Sequence, residues 1–210
     1  MSIIMGCSTS TSSTKALVDY VDPNIGTAHC RWFFYTPAAI PFGMAKLAPS
    51  TDAHLGNPGG WQAVGYDFRH TSIEGFANFH EFQVGGVVFA PTVGELQTVP
   101  GELENPDGGY RSRFDKKDEV AAPGYYSVLL KDYGVKAELT AMKRVGFHRY
   151  TYPEGKPASI LIDLREGNGS NAYDSYIRKV DDYTVEGYRY VRGWSPSRKV
   201  YFVLKSDQKI

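Results

Sequence analysis

The residues best suited to chemistry fall in one stretch, 59–86, GGWQAVGYDFRHTSIEGFANFHEFQVGG. It carries Trp61, Tyr66, Asp67, His70, Glu74, His80 and Glu81, threaded with Gly60, Gly65, Gly75, Gly85 and Gly86. Indole and phenol rings offer flat apolar faces, while imidazole and carboxylate groups donate and accept hydrogen bonds. Such a mixture lines a polar-aromatic pocket. The plainer alternative is a set of short strands and turns whose aromatics fill a core. No helical stripe fits, because the apolar residues do not recur at three-four spacing. No long strand fits, because glycines and charges interrupt each apolar run.

A second mixed stretch precedes it. His29, Cys30, Arg31 and Trp32 are followed by Phe33, Phe34 and Tyr35. Four aromatics beside a His, a Cys and an Arg suit a loop lining a cleft.

Other chemistries find little support. The five histidines (His29, His54, His70, His80, His148) form no His-x-x-x-His pair, and there is no Cys-x-x-Cys spacing for a metal. His80 and Glu81 would point to opposite faces of a strand and converge only in a loop. No Gly-x-Ser-x-Gly nucleophile turn occurs. Gly85-Gly86 and Gly108-Gly109 lack the lysine and following helix of a phosphate cradle. Asp67, Glu74 and Glu81 are available as carboxylates, but spacing alone does not pair them for glycoside hydrolysis.

The elements that must hold these residues read as β-structure. Twenty-two glycines, 12 prolines and 14% aromatics, led by 15 tyrosines, favour an all-β, turn-rich chain. The expected fold is an antiparallel β-sandwich, supersandwich-like, with long loops and little helix, over residues 16–210. Residues 16–21 read as a short strand and 37–49 as an extended segment bracketed by prolines. Residues 84–90 read as a buried strand, with 93–99 able to pair beside it and 100–123 as a long loop. Ala137, Leu139 and Ala141 alternate with Glu138 and Thr140. Turns at Asp132-Tyr133-Gly134 and Pro153-Glu154-Gly155-Lys156 then join residues 125–164 into an antiparallel meander, which 183–191 and 199–205 continue. Lys+Arg and Asp+Glu are both 23, so the chain has no basic footprint for nucleic acid. No stretch is apolar for long enough to span a membrane.

Two cysteines, Cys7 and Cys30, exclude a disulfide framework. Cys7 follows Ile4-Met5-Gly6 and precedes a Ser/Thr run to Thr14. That resembles the end of a bacterial lipoprotein signal, with Cys7 lipidated and residues 1–15 a polar tether or signal remnant, although the charged start and apolar stretch are missing. The expectation is an extracytoplasmic protein, periplasmic or at the cell surface.

Several blocks then resemble the N-terminal domain of glycoside hydrolase family 92, calcium-dependent exo-acting α-mannosidases. They are Val21-Asp22-Pro23-Asn24-Ile25-Gly26-Thr27, Ile40-Pro41-Phe42-Gly43-Met44, Gly60-Trp61 with Gly65-Tyr66, and Ile73-Glu74-Gly75-Phe76. Ser112-Arg113-Phe114, Pro123-Gly124-Tyr125-Tyr126-Ser127-Val128, and Glu138-Leu139-Thr140-Ala141 with Arg144 through Tyr150 follow in order. The resemblance implies a β-sandwich packed, in cis or in trans, on a larger helical barrel domain that would follow Ile210. It implies inverting hydrolysis of a mannose-containing glycan, N-glycans included, of the α-1,2-mannosidase type. The general acid, the general base and the main calcium-binding carboxylates would belong to the helical domain, so this chain alone holds no catalytic or metal residues. It would supply wall residues: Trp61 foremost, then Tyr66, His29, Cys30, Arg31, Trp32, His80 and Glu81. It also implies an exposed aromatic patch around residues 32–35 and Trp61. Two departures touch that wall. Ala63-Val64 stand where the family often has a cysteine-serine pair, and His80-Glu81-Phe82-Gln83 where many members read His-Leu-Ser-Gly. The rival expectation is a free-standing carbohydrate-binding or subunit-interaction module.

Overall fold

The computed structural model describes residues 15–28, 35–52, 65–78, 86–165, 172–192 and 195–210. Among the described residues there are thirteen strands and no α-helix. Strands β6 (Val120–Ala122), β7 (Tyr125–Leu130), β8 (Val135–Ala141) and β9 (Gly146–Thr151) form one antiparallel sheet in sequence order. A second sheet has the order β1 (Ala48–Ser50), β3 (Gly75–Ala77), β4 (Val88–Val93), β10 (Ala158–Asp163). A third contains β11 (Asp174–Asp181), β12 (Thr184–Val191) and β13 (Arg198–Lys205), and β2 (Ser72–Ile73) pairs with β5 (Ser112–Arg113).

The first two sheets enclose the core. Alternation in β8 turns Val135, Ala137, Leu139 and Ala141 inward, against Tyr126, Val128 and Leu130 of β7. Leu47, Ile73 and Phe76 meet them from the other side. The Phe76 ring lies 6.4 Å from that of Tyr126 and 6.1 Å from that of Tyr150. Full burial of a ring of this size stabilises by about 1.5–3 kcal/mol. The all-β sandwich is therefore as the sequence implies, and both expected turns hold a glycine at positive φ: Gly134 (65°) in the hairpin of β7 and β8, and Gly155 (71°) between β9 and β10, which do not pair.

Several local expectations change. Residues 17–20 form a 3-10 turn instead of a strand, because Ala16 N donates to the Asp19 carboxylate and Asp19 N to Ala16 O. Residues 40–43 make a tight turn, with Gly43 N donating to Ile40 O at 3.0 Å and Phe42 at φ 59°. The buried strand begins at Val88 and ends at Val93, where Gly94 (φ 85°) turns the chain. The span 100–123 is no free loop: it contributes β5 and β6 and buries Tyr110, Arg111 and Phe114. The meander ends at β9. β10 crosses to β4, with Ile162 opposite Phe89, and β12 and β13 build a separate sheet with β11. Alternation identifies a strand and its two faces, but not its partner. In β9 the inward residues are His148 and Tyr150, while Phe147 is 47% exposed.

Candidate functional site

The loops that carry the sequence motifs leave the sheet at identifiable points. β1 and β3 run antiparallel, with Ser50 opposite Gly75 and Ala48 opposite Ala77. At the Ser50 end, Thr51 N donates to Gly65 O at 2.6 Å and Asp52 N to the same oxygen at 3.2 Å. The two stems of the segment carrying Trp61 are thereby closed on each other. Phe68 N donates to Thr27 O at 3.4 Å, which brings the stem of the segment carrying His29–Trp32 to the same end. The bridge Ala38↔Leu47 is antiparallel, so stepping back from Ala38 toward Tyr35 also leads toward Ser50. Asn78, the stem leading to His80 and Glu81, lies past the Ala48 end of β1, where Lys46 N donates to its carbonyl at 3.2 Å.

Behind the Ser50 end stands a buried polar frame. Tyr66 is fully buried, and its hydroxyl donates to Glu119 Oε1 at 3.0 Å. Tyr126 donates to the same oxygen at 2.8 Å, and Lys116 Nζ to Oε2 at 2.8 Å. Burial first, and the Glu119 charge second, push both phenols far above their usual range, so they remain neutral donors. The Lys116 ammonium also lies over the rings of Phe68 (4.4 Å) and Phe114 (4.6 Å). Asp67 takes a fork of two bonds from Arg69, at 2.9 and 2.7 Å. Thr51 Oγ1 accepts from Asp67 N and meets His70 Nδ1 at 2.8 Å. Arg111, almost fully buried, donates to Ser72 Oγ at 3.0 Å and to Thr51 O. Burial holds its pKa down, against the opposing pull of Glu74.

His148 buttresses the other stem. Its Nε2 meets Asn78 Oδ1 at 2.5 Å, its Nδ1 meets the Tyr150 hydroxyl at 2.8 Å, and the Phe89 ring meets it edge-on at 5.5 Å. This arrangement suits the neutral ring with its proton on Nε2. Burial lowers its pKa to about 4, against an ordinary value near 6.5. The unfolded chain then takes up a proton between those values that the folded chain refuses. The stability His148 contributes is intact above about pH 6.5 and is lost as the pH falls toward 4. We expect unfolding free energy to fall by about 1–2 kcal/mol from this ring between pH 7 and pH 5, some solvent contact being allowed for. Urea midpoints at the two pH values, in the native chain and in His148→Phe, check it: the variant should lose most of that pH dependence.

Of the residues expected to face a ligand, Tyr66 is described, and it sits inside the frame at the base of the Trp61-bearing segment. Cys7, His29, Cys30, Arg31, Trp32, Trp61, His80 and Glu81 lie outside the described residues, as does most of the expected patch; its Tyr35 is half-buried. The structure adds Glu119, Lys116, Arg111 and Thr51. In sequence they resemble solvated surface residues, and nothing local signals that they turn inward. Among the described residues no group of three or more His, Cys, Asp or Glu converges to hold a metal ion.

Comparison with known proteins completes the picture. The profile of the Glycosyl hydrolase family 92 N-terminal domain matches residues 20–210. Among solved structures, the family 92 α-mannosidase BT3965 from Bacteroides thetaiotaomicron is 40% identical with a TM-score of 0.84, over 93% of this chain and 26% of that one. Its complex with mannoimidazole matches at 39% identity and the same TM-score and coverage. The inverting family 92 mannosidase BT2199 of the same species, strain VPI-5482, is 25% identical with a TM-score of 0.68, over 90% of this chain and 25% of that one. Comparison with curated protein sequences returned no match. An antiparallel sandwich whose motif-bearing segments spring from short strands at its edge is the N-terminal domain type of these glycosidases. The chain belongs to glycoside hydrolase family 92, as its N-terminal domain, and spans about a quarter of the length of the solved relatives.

Proposed function

We propose that this domain forms the sugar-facing wall of an exo-acting, inverting α-mannosidase and works only when packed on a helical catalytic domain. The observation that carries the reading is the convergence of the stems of two motif-bearing segments, those of Trp32 and Trp61, on the Ser50 end of β1. Trp61 stacks on the non-reducing mannose and donates one hydrogen bond from its indole nitrogen. His29, Cys30, Arg31 and Trp32 would stand beside it, with Tyr66 steadying the base of that segment from behind; His80 and Glu81 are the remaining wall residues in this reading. Inversion needs an acid and a base on opposite sides of the glycosidic bond, with room for water. The described carboxylates nearest the site are committed elsewhere: Asp67 to Arg69, and Glu74, 2% exposed, beside Arg111. We assign the acid and the base to the helical domain, whose carboxylates would also hold calcium.

An exposed apolar patch supports such a partner. Phe42 is 100% exposed at positive φ, and it is the one non-glycine residue in that conformation among the described residues. Ile40, Met44, Met142 and Val145 are exposed around it, the two turns being joined by Met44 N donating to Lys143 O at 2.6 Å. We place the protein outside the cytoplasm, held through Cys7; no helix among the described residues is long and apolar enough to cross a membrane.

The test joins this domain to a family 92 helical domain and measures mannoside turnover. Trp61→Ala should abolish turnover while leaving the melting temperature nearly unchanged. A fall equivalent to about 3–5 kcal/mol would make Trp61 a core residue instead. Turnover by the isolated chain would refute the division of labour.

A further inference from the structure

The third sheet presents a row of tyrosines to solvent. Its register sets Tyr176 opposite Tyr188, and Tyr188 opposite Tyr201. The ring centroids are 6.0 and 5.7 Å apart, one ring per strand. Alternation puts Val185, Arg189 and Val191 on the other, buried face, so the sandwich does not need these rings for its core. Tyr201 is 71% and Tyr176 46% exposed. The rings border an open groove of about 500 Å³, lined also by Arg178, Glu186 and Val203.

The charges on this face are of both signs and largely paired. Arg178 pairs with Glu186, Asp174 accepts from the Tyr188 hydroxyl at 2.9 Å, and Lys199 lies over the rings of Tyr188 (4.6 Å) and Tyr190 (5.4 Å). Alternation adds Lys205 to this face, so two acids stand against three bases, and the small excess leaves only a weak field to draw a polyanion and none to draw a polycation. The rings are interleaved with charged groups, whereas the core of a protein interface is depleted of them. What remains is a ligand that is neutral, apolar on its faces and rich in hydroxyls at its rim. We propose that the outer face of β11, β12 and β13 is a carbohydrate-binding surface, on which a neutral oligosaccharide lies across the strands along Tyr176, Tyr188 and Tyr201. Pyranose faces pack on the rings, and Arg178, Glu186 and Lys199 exchange hydrogen bonds with the hydroxyls. The inference does not rest on the catalytic reading, since no step of hydrolysis takes part in it.

Calorimetric titration of the full chain with manno-oligosaccharides of one to four units tests it, with polygalacturonate as the anionic comparison. Affinity should rise from the monosaccharide to the trisaccharide, and polygalacturonate should not bind. Tyr201→Ala should weaken trisaccharide binding about tenfold, or ~1.4 kcal/mol. Tyr201→Phe should keep most of it, because the ring remains. Tyr201 is too exposed for its loss to unfold the domain, and Tyr188→Ala provides a second, independent loss. Trp61→Ala should leave this binding in place, which separates it from the segment end of β1. Failure of every neutral oligosaccharide to bind, or binding indifferent to both Tyr201→Ala and Tyr188→Ala, would overturn the proposal.

Discussion

Arg189→Leu should cost about 3–5 kcal/mol of stability, among the largest losses available to a single side chain here. Arg189 lies in β12 with no solvent exposure. Its guanidinium donates to Leu164 O at 2.8 Å, to Gly86 O at 2.6 Å and to Arg165 O at 3.1 Å. One planar group thus ties the third sheet to the end of β10 and to the segment leading into β4. Leucine keeps apolar bulk but leaves carbonyls facing it without their donor, each costing about 1–3 kcal/mol where water cannot replace it. Arg189→Lys should recover only part, since an ammonium lacks the fork that reaches three carbonyls in one plane. Urea unfolding followed by circular dichroism measures the loss. A melting temperature lowered by roughly 10 °C corresponds to the middle of that range for a chain of this size. A loss below about 1 kcal/mol in Arg189→Leu would show that the three carbonyls find other partners.

Gly75→Ala should cost about 3 kcal/mol and loosen the edge from which the Trp61-bearing segment departs. Gly75 opens β3 at φ 155°, and a Cβ there would lie 2.6 Å from Val88 Cγ1 and 2.9 Å from Phe89 O. The first contact is with a side chain, the second with the backbone of β4. A double variant separates them. Val88→Ala removes the methyl, so Gly75→Ala should cost less in that background, while the clash with Phe89 O persists. If the two changes were simply additive, the methyl would not be the obstacle. Gly75 pairs with Ser50, next to Thr51, whose amide holds the stem at Gly65. In a two-domain enzyme the same substitution should therefore lower turnover as well as stability.

Much of the sandwich is legible in the amino-acid sequence because its evidence is local. Ala137, Leu139 and Ala141 alternate with polar neighbours and do point inward, and Gly134 stands where hairpin geometry needs positive φ. Pairing is not local. Nothing near Ile162 indicates that it will lie opposite Phe89, so the crossing from β9 to β4 leaves no mark in the pattern. The β11 strand is exposed at every residue, so it lacks the alternation that reveals a half-buried strand. The family was legible as ordered motifs, but the buried frame behind the motif-bearing segments was not. Glu119 sits among lysines and aspartates in Asp115-Lys116-Lys117-Asp118-Glu119 and looks like solvated surface, yet it anchors the hydroxyls of Tyr66 and Tyr126.

The pairing of β4 with β10 also bears on how the domain is made. Val93 at the end of β4 is opposite Ala158 at the start of β10, 65 positions later (158 − 93). At synthesis rates of about 5–20 residues per second, β4 leaves the ribosome roughly 3–13 s before its partner. Throughout that interval Val88, Phe89 and Ala90 have only the two-residue contact with β3 along one edge. An apolar strand with an open edge adds itself to whatever strand it meets. Until β10 is in place, the free edge of β4 is therefore a site at which the incomplete chain pairs with another copy.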